Sequence, residues 1–328
     1  MDESLQAVSD DRPLVVIARV LLDSGLALLS ERCEVRSGGL HATRAQILSL
    51  VRGAAAIVSD ASVSVDAELL ASCGPQLQIV ANFAVGYDNV DLGACAGAGV
   101  LVTNTPGVLS SATAELAVAL TLAAARGIFD AAADLRAGRW RHWDPSAYAG
   151  PQVAGSVLGV VGMGRIGTEY ARMMKGLAVR QILYASRSAK PEVERELQAS
   201  QVELAELMSA ADIVSLHTPA TAETHQLIDA QMLSLMKPSA ILINTSRGSV
   251  LDELALAAAL SEGRIWGAGL DVFEREPSVP DELLSAPRAV LLPHIGSATA
   301  RARNEMAVLV ARNVLSVLDG GEALTPVC

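Results

Sequence analysis

Aromatic residues are scarce, because only 3% of the 328 residues are Phe, Tyr or Trp. A hydrophobic core must therefore be built from Ala, Val, Leu and Ile, whose small side chains let helices lie close to a sheet. Hydrophobic residues still make up 51% of the chain and charged residues only 19%, which excludes disorder as its main state. The length suggests about two domains, at roughly 150 residues per domain.

Positively charged residues are also fewer than negatively charged ones. The chain has 25 Lys and Arg against 36 Asp and Glu, which gives a formal net charge of -11. An acidic surface disfavours nucleic acid as a partner, because phosphate binding needs a basic face. The net charge does not exclude small anionic substrates, which need only a local positive site.

Four cysteines are present, Cys33, Cys73, Cys95 and Cys328, and none forms a C-x-x-C pair. This usage predicts buried reduced thiols in the cytoplasm, with no disulfide framework and no metal site. The first residues, 1–4, lack the basic and apolar regions of a secretory signal. The uncharged stretch 146–164 contains five glycines and Pro151, so it does not predict a membrane helix. We predict a cytoplasmic protein with no membrane partner.

Short apolar runs alternate with Ala- and Leu-rich stretches along the chain, which is typical of an α/β fold with parallel sheets. We expect strands of a first lobe at 13–20, 54–59, 77–82 and 100–103. A long apolar helix at 111–126 should be buried. Strands of a second lobe are expected at 157–161, 181–185, 213–217, 240–245, 266–271 and 289–292, followed by a final helix at 299–318. The sequence therefore predicts two doubly wound parallel-sheet lobes.

A glycine motif lies between an expected strand and an expected helix. Gly162, Gly164 and Gly167 form G-x-G-x-x-G directly after the apolar run 157–161. The first glycine would make the tight turn, the second would let the backbone approach a pyrophosphate, and the third would let the helix pack on the strand. Backbone N–H groups at the helix N-terminus would hold the anion. With its strand before and helix after, the motif predicts a dinucleotide site.

The loop after the next strand selects between the two nicotinamide dinucleotides. NAD sites place Asp or Glu about 20 residues after the motif, where it accepts from the ribose 2′-hydroxyl. Here Glu169 comes too early and the next carboxylate is Glu192. The loop instead offers two hydroxyls and two cations, at Ser186, Arg187, Ser188 and Lys190. These groups suit a 2′-phosphate, so NADP(H) is favoured and NAD(H) remains possible. The alternative is a solvated basic loop without a ligand.

Three candidate catalytic residues follow the ends of expected strands. Arg247 follows the strand 240–245, Glu276 follows the strand 266–271, and His294 follows the strand 289–292. The carboxyl ends of parallel strands face the ligand crevice of doubly wound folds. Arginine can bind a carboxylate with a planar fork of donors, and histidine is the natural proton donor near neutral pH. Each residue alone has a structural explanation, but their placement beside a nucleotide site favours catalysis.

The sequence resembles the D-isomer-specific 2-hydroxyacid dehydrogenases from about Leu77 to its end. The resemblance is carried by the glycine motif and by four further segments, at 81–91, 244–248, 271–277 and 293–299. Within that family the chain is most similar to the NADP-dependent glyoxylate/hydroxypyruvate reductases. The Arg187 loop, the Trp140-x-x-Trp143-x-Pro145 pattern and the segment 293–304 carry that similarity.

The resemblance implies a fold and an assembly. It implies a Rossmann-type NAD(P)-binding domain at 105–296 and a discontinuous flavodoxin-like substrate-binding domain at 1–104 and 297–328. Two crossings between the lobes imply a hinge that closes on the substrate. A homodimer is also implied, with the helix from Ser111 at its interface. Trp140 or Trp143 would reach the partner's pocket or anchor the interface.

The resemblance also implies residue roles in reducing a small 2-keto acid to the D-2-hydroxy acid. Arg247 would bind the substrate carboxylate and polarise the keto oxygen, His294 would supply the proton, and Glu276 would hold His294 and keep it protonated. The backbone N–H groups of Val85 and Gly86 would hold the substrate carboxylate. Further cofactor contacts are implied at Thr113, Arg165, Ile166, His217, Thr218, Pro219, Thr245, Asp271, His294 and Gly296.

The sequence is compatible with other functions. A 2-ketogluconate reductase fits the same residues, since the pocket walls cannot be read from the sequence. A phosphite dehydrogenase is a weaker fit, because those relatives carry a lysine where Val85 stands, and formate-oxidising relatives carry Gln where Glu276 stands. A dinucleotide-binding corepressor is the alternative of a different class. We prefer an enzyme, because a corepressor would be expected to carry docking extensions and the chain has only about a dozen residues before its first expected strand.

Overall fold

A computed structural model of the chain describes residues 12–327, which divide into two compact units. The first unit comprises the described residues up to Leu109 and those from Thr299 onward, and the second comprises Ser110–Ala298. The predictions for the start of the chain and for Cys328 lie outside the described residues.

The first unit is built on a five-stranded sheet in which every neighbouring pair of strands is parallel. Its elements up to Leu109 are β1 (Leu14–Ile17), α1 (Asp23–Ser30), β2 (Glu34–Ser37), α2 (Arg44–Leu50), β3 (Ala56–Ser59), α3 (Ala67–Cys73), β4 (Ile79–Asn82), α4 (Leu92–Gly97) and β5 (Leu101–Thr103). The strand order β2-β1-β3-β4-β5 is the flavodoxin-like order of a doubly wound sheet. Apolar side chains pack on both faces of this sheet, as parallel sheets require.

The second unit contains a seven-stranded parallel sheet. Its elements are α5 (Ser110–Arg126), α6 (Ile128–Arg136), β6 (Val157–Val161), α7 (Arg165–Gly176), β7 (Gln181–Ala185), α8 (Pro191–Leu197), β8 (Ala199–Gln201), α9 (Leu204–Ala210), β9 (Ile213–Leu216), α10 (Ala230–Ser234), β10 (Ile241–Asn244), α11 (Glu253–Ser261), β11 (Gly267–Leu270), α12 (Asp281–Leu284) and β12 (Ala289–Leu291). The order β12-β11-β10-β9-β6-β7-β8 contains the Rossmann arrangement. From β6 the chain first adds strands on one side of the sheet and then, from β9 onward, on the other side. Ligands bind outside the carboxyl ends of the strands at such a switch point. The prediction of two doubly wound parallel-sheet lobes is confirmed.

Helix α5 is a core helix of the second unit, as its apolar sequence predicts. Ala114, Ala117 and Leu120 are at most 1% exposed, and the helix packs against α7 and against β10 and β11. A Cβ atom on Gly269 of β11 would lie only 2.9 Å from the Cβ atom of Leu120. Small residues at this contact therefore let the helix lie directly on the sheet, which compensates for the scarcity of aromatic side chains.

The last helix, α13 (Ala300–Leu318), belongs to the first unit. Thr299 caps it by accepting a hydrogen bond from the N–H of Ala302, which satisfies one of the free donors at a helix start. The helix packs closely on α1, where a Cβ atom on Gly25 would lie 2.5 Å from the carbonyl oxygen of Ala307. The first unit is thus completed by residues nearly 200 positions away from its first part.

Two strands, β2 and β8, are missing from the sequence-based expectations. Both lie at the edge of their sheets, and their sequences, Glu-Val-Arg-Ser and Ala-Ser-Gln, leave several residues exposed. An edge strand needs no continuous apolar run, because one side of it faces solvent. A prediction based on apolar runs therefore misses the two edge strands β2 and β8.

Within the described part of the chain, no single helix has the length and apolar character needed to cross a membrane. Helices α5 and α6 meet that test only when taken together, with a bend of 64° between them. The location of the protein in the cell stays a prediction.

Candidate active site

The glycine motif forms the turn between β6 and α7. Gly162 has a φ of +95°, and a Cβ atom there would lie 2.7 Å from the carbonyl oxygen of His217. A Cβ atom on Gly167 would lie 2.3 Å from the carbonyl oxygen of Gly162. At Gly164, by contrast, a Cβ atom would meet nothing within 4 Å. The outer two glycines are therefore required by the packing of the turn, and the middle one leaves open space beside the backbone.

The start of α7 has the donors that a phosphate needs. Gly164 caps the helix without a side-chain hydrogen bond, and the N–H groups of Arg165, Ile166 and Gly167 have no acceptor within residues 12–327. Free N–H groups at the start of a 12-residue helix, together with its dipole, favour an anion. The residues present thus fit the pyrophosphate of a dinucleotide.

The loop after β7 presents cations and hydroxyls to solvent. Arg187 is exposed and makes no hydrogen bond or salt bridge with any described residue. Its charge does act on Glu223, whose pKa is lowered first by a hydrogen bond with Thr221 and to a smaller extent by Arg187. Two hydrogen bonds hold the loop. The hydroxyl of Ser186 donates to the carbonyl oxygen of Ser188 at 2.7 Å, and the side-chain amide of Gln201 donates to the carbonyl oxygen of Ser186 at 2.8 Å. No carboxylate occupies the end of β7, and the exposed cation and hydroxyls of the loop are groups that can bind a phosphate.

The loop after β9 packs against the Gly162 turn, and buried polar atoms without partners lie in this loop and directly after β10. Thr218 Oγ1, Thr245 Oγ1 and His217 Nδ1 are buried and have no hydrogen-bond partner in the described structure. The ring of His217 lies against Tyr170, with ring centroids 5.2 Å apart, and its Nε2 pairs with the hydroxyl of Ser215 at 2.9 Å. Burial lowers the pKa of His217 to about 3, so this ring is neutral. Buried polar atoms without partners are rare, so these three atoms are available to a polar ligand.

Arg247 follows the end of β10 in a tightly held turn. The buried side chain of Asn244 donates to the carbonyl oxygen of Arg247 at 2.9 Å and accepts from both the N–H and the hydroxyl of Ser246. A Cβ atom on Gly248 would lie 1.9 Å from the carbonyl carbon of Phe273. Only glycine at that position allows the Arg247 turn to lie against the loop after β11, which carries Glu276.

Glu276 and His294 form a hydrogen-bonded pair, with 2.7 Å between Oε2 and Nδ1. The other carboxylate oxygen, Oε1, accepts from the N–H of Phe273 at 3.0 Å. Burial alone would raise the pKa of Glu276, but the hydrogen bonds from His294 and Phe273 and the charges of His294 and Arg247 outweigh it and lower that pKa. The carboxylate is therefore ionised at neutral pH and faces the imidazole.

Asp271 holds the loop that carries His294. Its backbone carbonyl accepts from the N–H of His294 at 2.9 Å, and its carboxylate accepts from the N–H groups of Ile295 at 2.8 Å and Gly296 at 2.7 Å. Burial raises the pKa of Asp271, and these N–H bonds oppose that effect. His294 has a φ of +53°, an uncommon conformation for a residue with a side chain. The contacts from Asp271 fix the loop in that conformation.

The remaining predicted contacts are distributed over both units. Thr113, at the start of α5, lies beside Gly296, where an added Cβ atom would be 3.5 Å from its Oγ1. Val85 and Gly86 lie in the first unit, in the loop after β4. Trp140 and Trp143 are 57% and 76% exposed. No group of three or more His, Cys, Asp or Glu suited to a metal ion occurs among residues 12–327.

Three residues that support these turns have roles that the sequence does not reveal. Asn244 at the end of β10 and Asn82 at the end of β4 are fully buried polar side chains, and each holds the loop that follows it. Asp271 was predicted only as a nicotinamide contact, and its bonds to Ile295 and Gly296 were not foreseen. Asparagine at the carboxyl end of an apolar strand is the signal that could have found the first two.

The chain matches a known protein family over more than half of its length. The model of the "D-isomer specific 2-hydroxyacid dehydrogenase, NAD binding domain" matches residues 118–296. The chain belongs to that family. It is therefore an NAD(P)-dependent dehydrogenase, and the predictions of family and enzyme class are confirmed. The "Glyoxylate reductase" of Thermococcus onnurineus is 46% identical over 315 residues, which cover 94% of each chain.

Solved structures of similar proteins agree with this family assignment. A protein from Thermus thermophilus superimposes with a TM-score of 0.90 at 41% identity, and the match covers 96% of this chain and all of that one. The NADPH-dependent glyoxylate/hydroxypyruvate reductase of Sinorhizobium meliloti, solved with NADP and malonate, gives a TM-score of 0.84 at 37% identity, covering 97% of each chain.

Proposed function

We propose that this dehydrogenase reduces glyoxylate and hydroxypyruvate to the corresponding 2-hydroxy acids with NADPH. The observation that carries the proposal is the hydrogen-bonded pair of Glu276 and His294, 2.7 Å apart, with Glu276 on the loop after β11 that packs against the Arg247 turn. Glyoxylate reductases 40–46% identical over most of their length support the substrate class. An NADP complex of a similar reductase supports use of a nicotinamide dinucleotide.

The cofactor would be held mainly at the carboxyl ends of β6, β7 and β9. The N–H groups of Arg165, Ile166 and Gly167 would bind the pyrophosphate, and Arg187 with Ser186, Ser188 and Lys190 would bind the 2′-phosphate. Thr113, Thr218, Pro219, Thr245, Asp271 and Gly296 would line the rest of the site. When bound, the nicotinamide supplies the hydride that reduces the keto carbon.

The residues of the chain would orient the substrate and handle the proton. Arg247 would bind the substrate carboxylate and stabilise negative charge developing on the keto oxygen. His294 would give that oxygen a proton from Nε2, because its Nδ1 is bonded to Glu276. The ionised Glu276 would fix the ring orientation and stabilise the imidazolium. The N–H groups of Val85 and Gly86 would also bind the substrate carboxylate.

The test is a nicotinamide absorbance assay with the purified protein. NADPH and NADH are each combined with glyoxylate, hydroxypyruvate, pyruvate and 2-ketogluconate, and phosphite oxidation is measured with NADP⁺ and NAD⁺. We expect NADPH consumption to be fastest with glyoxylate or hydroxypyruvate. Preferred turnover of 2-ketogluconate or phosphite would replace this proposal with another activity. Tight dinucleotide binding without turnover of any of these substrates would contradict the proposed reaction.

Changing Arg187 to alanine tests the cofactor assignment. We expect the KM for NADPH to rise about tenfold or more, because a charge-assisted bond to phosphate contributes about 1.5–3 kcal/mol. The KM for NADH should change little, since that cofactor has no 2′-phosphate. Arg195→Ala is the matched control, because it removes an equal charge from the exposed face of α8. Equal effects of Arg187→Ala on the two cofactors would disprove the assignment.

The homodimer also belongs to this proposal. Exposed apolar side chains are concentrated on and after α6, at Ile128, Phe129, Leu135, Trp140, Trp143 and Tyr148. An exposed patch of this kind is typical of a protein interface. We propose that a second copy of the chain covers it, and sedimentation equilibrium showing only monomer at micromolar concentration would contradict this.

A further inference from the structure

The loop after β4 presents two backbone donors whose directions are fixed from behind. The N–H groups of Val85 and Gly86 have no acceptor among the described residues. The carbonyl oxygen of Ala84 accepts from the N–H of Thr105 at 2.9 Å, and that of Val85 accepts from Nδ2 of Asn104 at 2.7 Å. Because a peptide unit is planar, a bond to one carbonyl oxygen orients the next N–H. Asn104 and Thr105 therefore aim the N–H groups of Gly86 and Val85, respectively.

Asn104 is itself held by the segment 322–327, which follows α13. The hydroxyl of Thr325 donates to the carbonyl oxygen of Asn104 at 2.7 Å, which lies in the same peptide plane as the N–H of Thr105. The segment also pairs with β5, through an antiparallel bridge between Thr103 and Pro326 and a bond from the N–H of Val327 to the carbonyl oxygen of Val102. The position of Thr325 thus determines the peptide planes behind the loop.

Thr325 is fixed in turn by the fully buried side chain of Asn313 on α13. Its Oδ1 accepts from the N–H groups of Leu324 at 2.9 Å and Thr325 at 3.1 Å, and its Nδ2 donates to the hydroxyl of Thr325 at 2.9 Å. Nδ2 also donates to the carbonyl oxygen of Leu309. A buried amide with every donor and acceptor used holds its neighbours in one geometry.

We propose that Thr325 and Asn104 are positioning residues for the substrate carboxylate. Through them the segment 322–327 and α13 set the direction of the two N–H groups at Val85 and Gly86. The inference rests on the proposed function only in taking these N–H groups as carboxylate donors. Neither side chain needs to touch the substrate, because their effect passes through two peptide planes.

The first test compares Thr325→Val with Thr103→Val. Each change removes one hydroxyl at nearly constant volume, but Thr103 Oγ1 is buried without a partner, so its loss breaks no described hydrogen bond. For Thr325→Val we expect the KM for glyoxylate to rise roughly three- to tenfold, the range of a lost hydrogen bond. The kcat and the KM for NADPH should stay near the wild-type values, because binding that is equal in ground and transition states affects KM alone.

Thr325→Ser and Asn104→Ala complete the series. The serine variant keeps the hydroxyl and should restore the wild-type KM for glyoxylate. Asn104→Ala removes the donor to Val85 and should raise that KM at least as much as Thr325→Val does. A general loss of folding would lower the melting temperature and raise the KM for NADPH as well as the KM for glyoxylate. A melting curve and the NADPH measurements would therefore detect it.

Hydrogen exchange of the peptide covering residues 80–91, followed by mass spectrometry, tests without any turnover whether Thr325 and Asn104 hold the loop after β4. We expect faster exchange in Thr325→Val and Asn104→Ala than in Thr103→Val. If Thr325→Val matches Thr103→Val in both exchange and KM, the inference is wrong. Faster exchange with an unchanged KM for glyoxylate would also overturn it, because the loop would then not bind the carboxylate. If the wild-type protein reduces no keto acid, the proposed function fails, and hydrogen exchange alone then decides whether Thr325 and Asn104 hold the loop after β4.

Discussion

Replacing His294 by alanine is expected to lower kcat for keto-acid reduction by roughly 10²- to 10⁴-fold, the usual contribution of a positioned proton donor. The keto oxygen gains negative charge as hydride arrives, and without the imidazole only water can supply its proton. The ring makes its described hydrogen bond to Glu276, while the loop is held by backbone bonds to Asp271. The loop should therefore survive the substitution.

Cofactor binding separates a catalytic His294 from a structural one. The Kd for NADPH, followed by its fluorescence, should change little in His294→Ala. His41→Ala is the matched control, since His41 is an exposed histidine of the first unit, and it should retain full activity. Loss of NADPH binding in His294→Ala would assign the residue a structural role instead.

Glu276→Gln refines the same result. Glutamine can still bond to the imidazole, but it removes the negative charge that the lowered pKa of Glu276 maintains at neutral pH. We expect kcat to fall less than in His294→Ala, because glutamine keeps the bond that orients the ring but removes the charge that stabilises the proton donor in the transition state. A kcat equal to that of the wild type would show that the charge of Glu276 does not contribute to proton transfer.

Replacing Arg247 by alanine is expected to lower kcat/KM for the keto acid by roughly 10²- to 10³-fold, the range found when a donor to a developing oxyanion is removed. Arg247→Lys keeps the charge but loses the planar fork that binds a carboxylate with two parallel bonds. We therefore expect the lysine variant to recover only part of the activity. The turn itself should persist, because Asn244 and Gly248 hold it through backbone contacts.

Steady-state kinetics with glyoxylate and NADPH measures this effect. Arg264→Lys is the control, because Arg264 lies outside the site, where it pairs with Glu262 on the surface. It should behave as the wild type does. If Arg247→Lys and Arg247→Ala both retain wild-type kcat/KM, the arginine does not bind substrate. If both lose NADPH binding, its role is in the cofactor site.

The elements that could be predicted are those that short, local sequence patterns specify. The predicted bounds of the glycine motif and of the strands β6 and β7 are those of the structure. This agreement arises because a continuous apolar run and the G-x-G-x-x-G pattern after it each depend on only a few neighbouring residues. Arg247, Glu276 and His294 are predicted as site residues because each follows an apolar strand. The edge strands β2 and β8 were missed, since partial exposure removes the apolar run.

The sequence by itself determined the alternation of strands and helices, the dinucleotide loop and the family of this dehydrogenase, because each depends on neighbours in the chain. Only the tertiary structure decided how the candidate site is held. The Thr325 hydroxyl bonds to Asn104 across 221 positions, Asp271 receives N–H groups 24 and 25 positions away, and Ser59 reaches Asn82 across 23. Such partners are set by the folding of the sheet and have no periodicity along the chain.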